Sequence, residues 1–307
     1  MKRSFIGAAE KNRRQLHALL QVGALAMAVP TIDALSAAAD ESARRDKSKY
    51  TLFNPAPREW MRELQTDRPD KTESPFTVDA GHFQVEADIL NYAYDRHNAA
   101  RTDSRVESVS IAPMNLKVGL RNDVDLQLGL ETYLSVRTHD IASGTVQRNR
   151  GFGDVLVRAK WNAWGNDGGA TAFGVMPYLK LPTNQDNLGN NSVEGGVIFP
   201  FALELPAGWN LGLMTQFDII RDANGSGHHP EFLNSITFGH DIAGNLAGYV
   251  EFFSAVSTES GTDWVGTLDI GLTFGLTEDI QLDGGVNIGV TRAAADINPF
   301  IGISWRF

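Results

Sequence analysis

From Phe83 to Phe307 the chain repeats one pattern: apolar and polar residues alternate over runs of about nine to eleven residues, the length of a tilted membrane-spanning strand. A period of two sets one face of each run against an apolar medium and the other against water or polar groups, which strands do and helices do not. Phe83, Val85, Ala87 and Ile89 alternate with Gln84, Glu86 and Asp88 in the first run. Leu116, Val118 and Leu120 end the second, and Val124, Leu126, Leu128 and Leu130 open the third after the tight turn Arg121-Asn122-Asp123. Val109 and Ile111 have the opposite phase from Leu116, which predicts a bulge near Pro113, where a ladder loses a donor anyway. The series continues through Val155 to Trp161, Phe173 to Leu181, Val197 to Leu203, Leu211 to Phe217, Phe232 to Phe238, Leu246 to Phe252, Leu268 to Phe274 and Ile280 to Ile288. It closes on residues 299 to 307.

The connections order these runs. Tight links near residues 122, 167, 207, 243 and 278 alternate with longer polar ones near 98, 144, 187, 225, 259 and 295. Periplasmic turns and extracellular loops alternate in this way in outer-membrane barrels, whereas an open soluble sandwich gives no reason for it. No run of about 18 apolar residues occurs and the mean hydropathy is -0.20, so helical spans are excluded while a barrel is not. The fold expected is all-β, a transmembrane antiparallel up-and-down barrel of about twelve strands over residues 80 to 307, with a periplasmic N-terminal segment before it. Ile301, Ile303, Trp305 and Phe307 share one face of the last run. A terminal aromatic resembles the signal read by the barrel-assembly machinery, so that machinery and outer-membrane lipid are the expected partners.

Residues 1 to 39 read as a cleavable export signal: five basic residues precede the apolar stretch from Ala18 to Val29, and Ala37-Ala38-Ala39 follow. Arg13-Arg14 resembles a twin-arginine signal, but a barrel must reach its assembly site unfolded, which favours the general secretion route. The chain has no cysteine, which excludes disulfides and thiolate metal sites, and its formal charge of -10 argues against nucleic-acid binding. Residues 40 to 56, polar and aperiodic, read as a tether, and Pro57 to Leu64 as a short helix with Trp60 and Leu64 on one face. Residues 66 to 75 carry Asp67, Arg68, Asp70, Lys71 and Glu73 and are held extended by Pro69 and Pro75. Two readings of this stretch stand: a solvated linker, or a partial plug in the periplasmic mouth of the barrel. With the plug, residues 40 to 79 form one periplasmic unit, and Arg306 at the end of the last strand comes within reach of its acidic residues.

With the apolar face toward lipid, the other face carries Glu86, Asp88, Asp125, Asp154, Glu194, Asp218, Glu251, Asp269 and Asp283, together with Lys117, Arg158, Lys160, Lys180 and Arg306. Charges are tolerable inside, whereas a Lys or Arg at the lipid midplane costs roughly 2 to 4 kcal/mol. Two roles remain open for them, an ion-pair network that fills a narrow lumen and a ligand path. Twelve strands enclose far less than the 16 to 18 that leave an open aqueous channel, so a constricted passage is expected. Tyr178 and Tyr249 also fall on this face and offer rings to a solute or to an interfacial girdle. Trp161, Trp209, Trp264 and Trp305 sit near strand ends, as girdle residues do. His228-His229, near Asp222 and Glu231, lack ligand spacing on a regular element and read as solvated loop rather than metal site. His82, His139 and His240 are dispersed and have no convincing nucleophile, and no phosphate-cradling or dinucleotide motif occurs, so neither an enzyme nor a cofactor is expected.

Thr66-Asp67-Arg68-Pro69-Asp70-Lys71-Thr72-Glu73-Ser74-Pro75-Phe76-Thr77-Val78, then Gly81-His82-Phe83-Gln84-Val85-Glu86, resembles the opening of the outer-membrane transporter family named after the meta-pathway of phenol degradation. Gly151-Phe152-Gly153-Asp154, Lys160-Trp161-Asn162, Leu181-Pro182-Thr183, Leu282-Asp283-Gly284-Gly285 and Gly302 to Phe307 recur in the family's order. The resemblance covers residues 66 to 307 and implies an exported barrel for passage of small, often aromatic, compounds. It carries few residue roles. A structural or adhesive barrel and a barrel hydrolase are the competing functions.

Overall fold

The computed structural model describes residues 46–96 and 104–307. The export signal expected at residues 1 to 39 and the loop centred near residue 98 lie outside the described residues. Twelve antiparallel strands follow one another around a closed wall, and three of them are each broken once. They are β1 (Phe83–Asp95), β2 (Ser104–Ile111 and Met114–Arg121), β3 (Val124–Leu130 and Tyr133–Asp140), β4 (Val146–Gly151 and Val155–Trp164), β5 (Thr171–Leu181) and β6 (Glu194–Leu205). Then come β7 (Trp209–Arg221), β8 (His228–Ala243), β9 (Leu246–Ser257), β10 (Val265–Thr277), β11 (Ile280–Gly289) and β12 (Ile297–Arg306).

Each strand pairs with its neighbours in sequence, and β12 returns to pair with β1 from Gln84↔Arg306 to Tyr94↔Ile297. The ends of the barrel sequence lock this seam. Phe83 N–H donates to the Phe307 carbonyl at 3.0 Å, Phe307 N–H donates back at 2.9 Å, and their rings stack with centroids 5.9 Å apart. Closure leaves no unpaired edge, which a chain surrounded by hydrocarbon cannot carry.

Burial runs opposite to that of a soluble protein. Leu268, Ile270, Leu272 and Phe274 of β10 are exposed while Asp269 and Gly271 between them are buried, and residues 301 to 307 expose Ile301, Trp305 and Phe307 while burying Ser304 and Arg306. Apolar residues outside and charged residues inside suit a barrel whose solvent is lipid. Trp164, Trp209, Trp305 and Phe307, all exposed, lie toward the end bearing the short turns, and Trp164 stacks on Phe173 at 5.0 Å.

The expected phase change in β2 falls at Ala112-Pro113, where Ala112 takes a left-handed conformation with φ of 54°. It is not confined to one strand. Ile89 bulges out of the β1–β12 ladder, leaving Ile89 and Leu90 both exposed, while β3 is interrupted after Leu130 and β4 after Gly151. Registers above and below the gaps match, so four adjacent strands change phase at one level, each bulge compensated by its neighbour's.

Two local expectations are corrected. The helix expected over Pro57 to Leu64 is only a three-residue 3-10 turn, Arg58–Trp60. Trp60 is drawn into a small cluster with Tyr50, Ala56 and Ala80, and Met61 is already extended, so side-chain docking takes the place of helical propagation. The stretch from residue 46 to 56, expected as part of a tether, is tied down as well: Thr51 bridges Arg121, and Lys47 pairs with Asp167 at 2.7 Å.

Candidate functional site

Residues 61 to 80 cross the inside of the barrel. Apart from Ala80, which bridges Gly119, they belong to no strand or helix, and several of their backbone groups are satisfied by side chains of the wall and its turns, as buried polar groups require. Val78 N–H donates to Asp125, Thr77 N–H to Asn166, Lys71 N–H to Glu251 at 2.9 Å and Asp67 N–H to Glu86, while Asn162 donates to the Pro75 carbonyl at 2.9 Å. The lumen face of β1–β4 and β9–β11 therefore acts as the hydrogen-bonding frame for this segment.

Asp67 is the centre of the charge network. Its carboxylate takes Lys160 on one oxygen at 2.5 Å and Lys117 on the other, and Lys117 also meets Glu86 at 2.5 Å. All four side chains are buried. Burial alone pushes the Asp67 carboxyl up, but the ammonium groups of Lys117 and Lys160 and the Arg158 guanidinium together outweigh it and hold it well below the usual carboxylate range. Arg68 bridges two strands, pairing with Asp88 at 2.5 Å and Asp283 at 2.6 Å. Lys71 reaches Asp269 at 3.0 Å and lies 4.7 Å from the centroid of Phe253, and Glu73 meets Arg158 at 2.5 Å. Among the described residues Asp70 faces no lysine or arginine at ion-pair distance; burial, then the neighbouring Glu251 charge, pushes its carboxyl well up. Burial likewise raises Glu73, against the pull of Arg158.

Of the other sequence-selected lumen residues, Asp154, Lys180, Glu194, Asp218 and Tyr178 have their hydrogen-bond and ion-pair partners in the wall and its loops. Asp154 accepts from Asn184 and stands 3.9 Å from Lys180, which pairs closely with Glu194. Asp218 accepts from Gln216 at 2.7 Å, and Gln216 also reaches the Tyr178 hydroxyl at 3.4 Å. The Tyr249 hydroxyl is buried without a hydrogen-bond partner. Arg306 departs from expectation: instead of the acids of residues 66 to 75 it takes Asp279 at 3.0 Å, Asp79 at 3.8 Å and the Arg62 carbonyl at 2.8 Å. The segment enters the barrel past Arg306 at residues 62 and 79, and its acids lie deeper.

Sequence reading missed a second node at that entry, where buried Asp79 faces Lys47, Arg62 and Arg306. Lys47, Arg62 and Asp79 precede the first strand and carry no period, so alternation gives no signal for them. Gln84 and Gln127, also missed, are buried beside Glu86 and Asp125, and Glu131 is joined to Ser110.

Apolar side chains occupy part of the lumen wall. Met176, Ile198 and Met214 of β5–β7 are buried together, with Tyr178 and Phe253 packed against them. Cavities of about 490 Å³ lie on both sides of Glu73, one toward Asp88, Glu131 and Asp154, the other toward Thr171, Glu204 and Asp241 at the short-turn end. Near the long loops His229 Nδ1 lies 2.9 Å from Asp222, and Glu259 rather than Glu231 completes a trio whose ligand atoms fall within 4.8 Å of one another. His228 turns instead to Ser192 at 3.0 Å.

The sequence profile of the family labelled for the MetA-pathway of phenol degradation matches residues 66–307, from the first residues of the inner segment to the closing strand. The chain belongs to this family. The match begins at Thr66 and not at Phe83, so the family pattern includes the segment inside the barrel as well as its wall. No curated protein matches the chain. Among solved structures, the COG4313 outer membrane channel from Pseudomonas putida F1 is 13% identical with a TM-score of 0.55, covering 79% of this chain and 100% of that one. The NanC porin is 12% identical with a TM-score of 0.46, covering 73% and 98%. At 13% identity the likeness to the Pseudomonas putida channel is one of fold.

Proposed function

We propose that this member of the family is an outer-membrane channel through which small organic compounds pass, and that residues 66 to 75 constrict it as a plug entering from the periplasmic side. The observation that supports the reading is the set of contacts from Asp67, Arg68, Lys71 and Glu73 to six charged residues of the wall, Lys117, Lys160, Asp88, Asp283, Asp269 and Arg158. A linker with no role in the lumen has no need of paired charges at such a density. The contacts come in both signs and from strands on opposite sides of the barrel, so the segment is suspended across the lumen rather than laid along one wall. Cavities on both sides of Glu73 leave the constriction short. The exposed apolar belt supports lipid as the surrounding medium, and Phe307 at the seam supports recognition of the last strand by the barrel-assembly machinery. In this reading residues 1 to 39 direct export and are removed.

Deleting residues 66 to 75 tests the plug. The expected result is a several-fold rise in single-channel conductance in planar bilayers, with the compact, heat-modifiable band of the folded barrel retained on gels. Unchanged conductance in a folded deletion variant rules the plug out. Passage itself is measured as uptake of benzyl alcohol into proteoliposomes, with liposomes free of protein as the baseline.

A further inference from the structure

The cavity on the short-turn side of the segment has an unusual lining. Five carboxylates border it, Glu63, Asp70, Glu73, Glu204 and Asp241, and no lysine or arginine among the described residues does. The nearest cations are committed elsewhere. Arg58 pairs with Asp279, Arg62 with Asp79 and Asp167, Arg306 with Asp79 and Asp279, and Lys71 points away to Asp269. Arg158 approaches Glu73 from the far side of the segment and takes only one of its oxygens, so that Glu73 Oε2 is buried without a hydrogen-bond partner. His240, also at the border, has its ring nitrogens against the carbonyls of Asp241 and Ala207, the latter at 3.0 Å.

One further polar atom in the same lining, the buried Tyr249 hydroxyl, has no hydrogen-bond partner among the described residues, and the buried Thr237 hydroxyl serves Asp70. Buried polar groups are rarely left unmatched unless something else completes them. The remaining walls are apolar or aromatic, with Phe76 and Tyr249 supplying rings and Pro69, Pro75 and Ala172 supplying aliphatic surface. Its volume of about 490 Å³ lies within the range of roughly 300 to 1,000 Å³ that small-molecule sites occupy. Asp70 without a cation at ion-pair distance and Glu73 with one oxygen unmatched, beside aromatic rings, are surroundings in which an ammonium group is stabilised, by charge-assisted hydrogen bonds and by the ring faces.

We infer that this cavity is a binding station for small organic cations, taking a protonated amine on an aromatic or alicyclic body. The ammonium group is received by Asp70 and Glu73, the carboxylates that the inner segment itself carries, and the body lies against Phe76 and Tyr249. Anions of the same size are rejected by the same carboxylates. The inference deepens the channel reading, since it rests on solutes reaching the lumen, and it names which of them the passage holds.

Binding to the purified, folded full-length barrel in detergent, measured by calorimetry, tests the station without requiring transport. Benzylamine, benzyl alcohol and benzoate have nearly the same shape and differ in charge. The expected order is benzylamine tightest, benzyl alcohol weaker and benzoate weakest, with D70N weakening benzylamine about tenfold and leaving benzyl alcohol within about twofold. Equal affinities for the three, or preference for benzoate, overturn the inference on the wild-type protein alone, so it does not depend on the variant folding. Benzylamine binding untouched in a heat-modifiable D70N/E73Q variant overturns it as well. Proteoliposomes that take up neither benzyl alcohol nor benzylamine, with benzylamine still bound in detergent, remove the channel reading and leave the station standing.

Discussion

At the scale of single residues, Asp67 carries the greatest consequence. Its carboxylate neutralises buried Lys117 and Lys160 together, and removing one member of a buried ion pair while leaving the others costs about 3 to 5 kcal/mol. D67N is therefore expected to loosen the segment by that order. Because the chain has no cysteine, a fluorophore on Q65C reports the release, and a urea midpoint unchanged by D67N contradicts the assignment. Asp67 and Asp70 also give the docked state opposite pH dependences. The depressed Asp67 contributes stability that is fully present above the usual carboxylate pKa of about 3.9 and is lost only as pH falls through its lower folded value. Raised Asp70 and Glu73 act the other way: docking is favoured when they are protonated and weakens as pH climbs from the usual range through their folded values. Mild acidification from neutral should tighten the segment and strong acid should free it. The fluorophore signal should lose its mild-acid limb in D70N/E73Q, and a wild-type segment that loosens on mild acidification refutes the scheme.

At the scale of elements, the inner segment and the strands constrain each other through backbone proximity as much as through charge. A Cβ on Gly119 of β2 would meet the Asp79 carbonyl oxygen at 2.1 Å, a backbone atom unable to rotate away. G119A is expected to shift the entry of the segment at a cost of about 1 to 3 kcal/mol, the usual scale of overpacking. The barrel should keep its heat-modifiable band while conductance rises, and a G119A channel indistinguishable from wild type means that the entry yields without displacing the segment. The same interplay explains the short 3-10 turn at Arg58–Trp60. Helical spacing of Trp60 and Leu64 is present in the sequence, but Trp60 is used at 5.8 Å against Tyr50.

At the scale of the whole molecule, the two faces of the wall obey different solvents. Ile270 faces outward between two inward residues, Asp269 and Gly271, so I270K sets an ammonium group in hydrocarbon at roughly 2 to 4 kcal/mol. Refolding yield into lipid should fall for I270K and stay near wild type for the outward but apolar I270V. Equal yields for I270K and wild type contradict the placement of this face in the bilayer. The coordinated phase change through β1 to β4 also belongs to this scale. One bulge on its own would spoil register, and four aligned ones preserve it.

Strand count, closure order and the outward face were legible in the sequence because a period of two is a local property: Leu268 to Phe274 declare their face whatever the rest of the chain does. Pro113 announced its phase break for the same reason, whereas the matching breaks at Ile89, Leu130 and Gly151 arise from neighbouring strands and carry no comparable local mark. The charged candidates were legible as a lumen set but not as partners. Nothing in the spacing of Asp67 from Lys117 and Lys160, or of Arg68 from Asp283, pairs them, because closing the barrel joins residues as remote in sequence as Arg68 and Asp283, 215 positions apart. Arg306 shows the limit most clearly: its face was determined by alternation, and its partners by where the segment brings Asp79 and by the neighbouring β10–β11 turn that carries Asp279. The sequence by itself determined which side chains are inside, through their periodicity. Only the tertiary structure decided which of them are neutralised by the segment and which, like Asp70, are left facing a cavity, because that depends on the path of an aperiodic stretch through a closed wall.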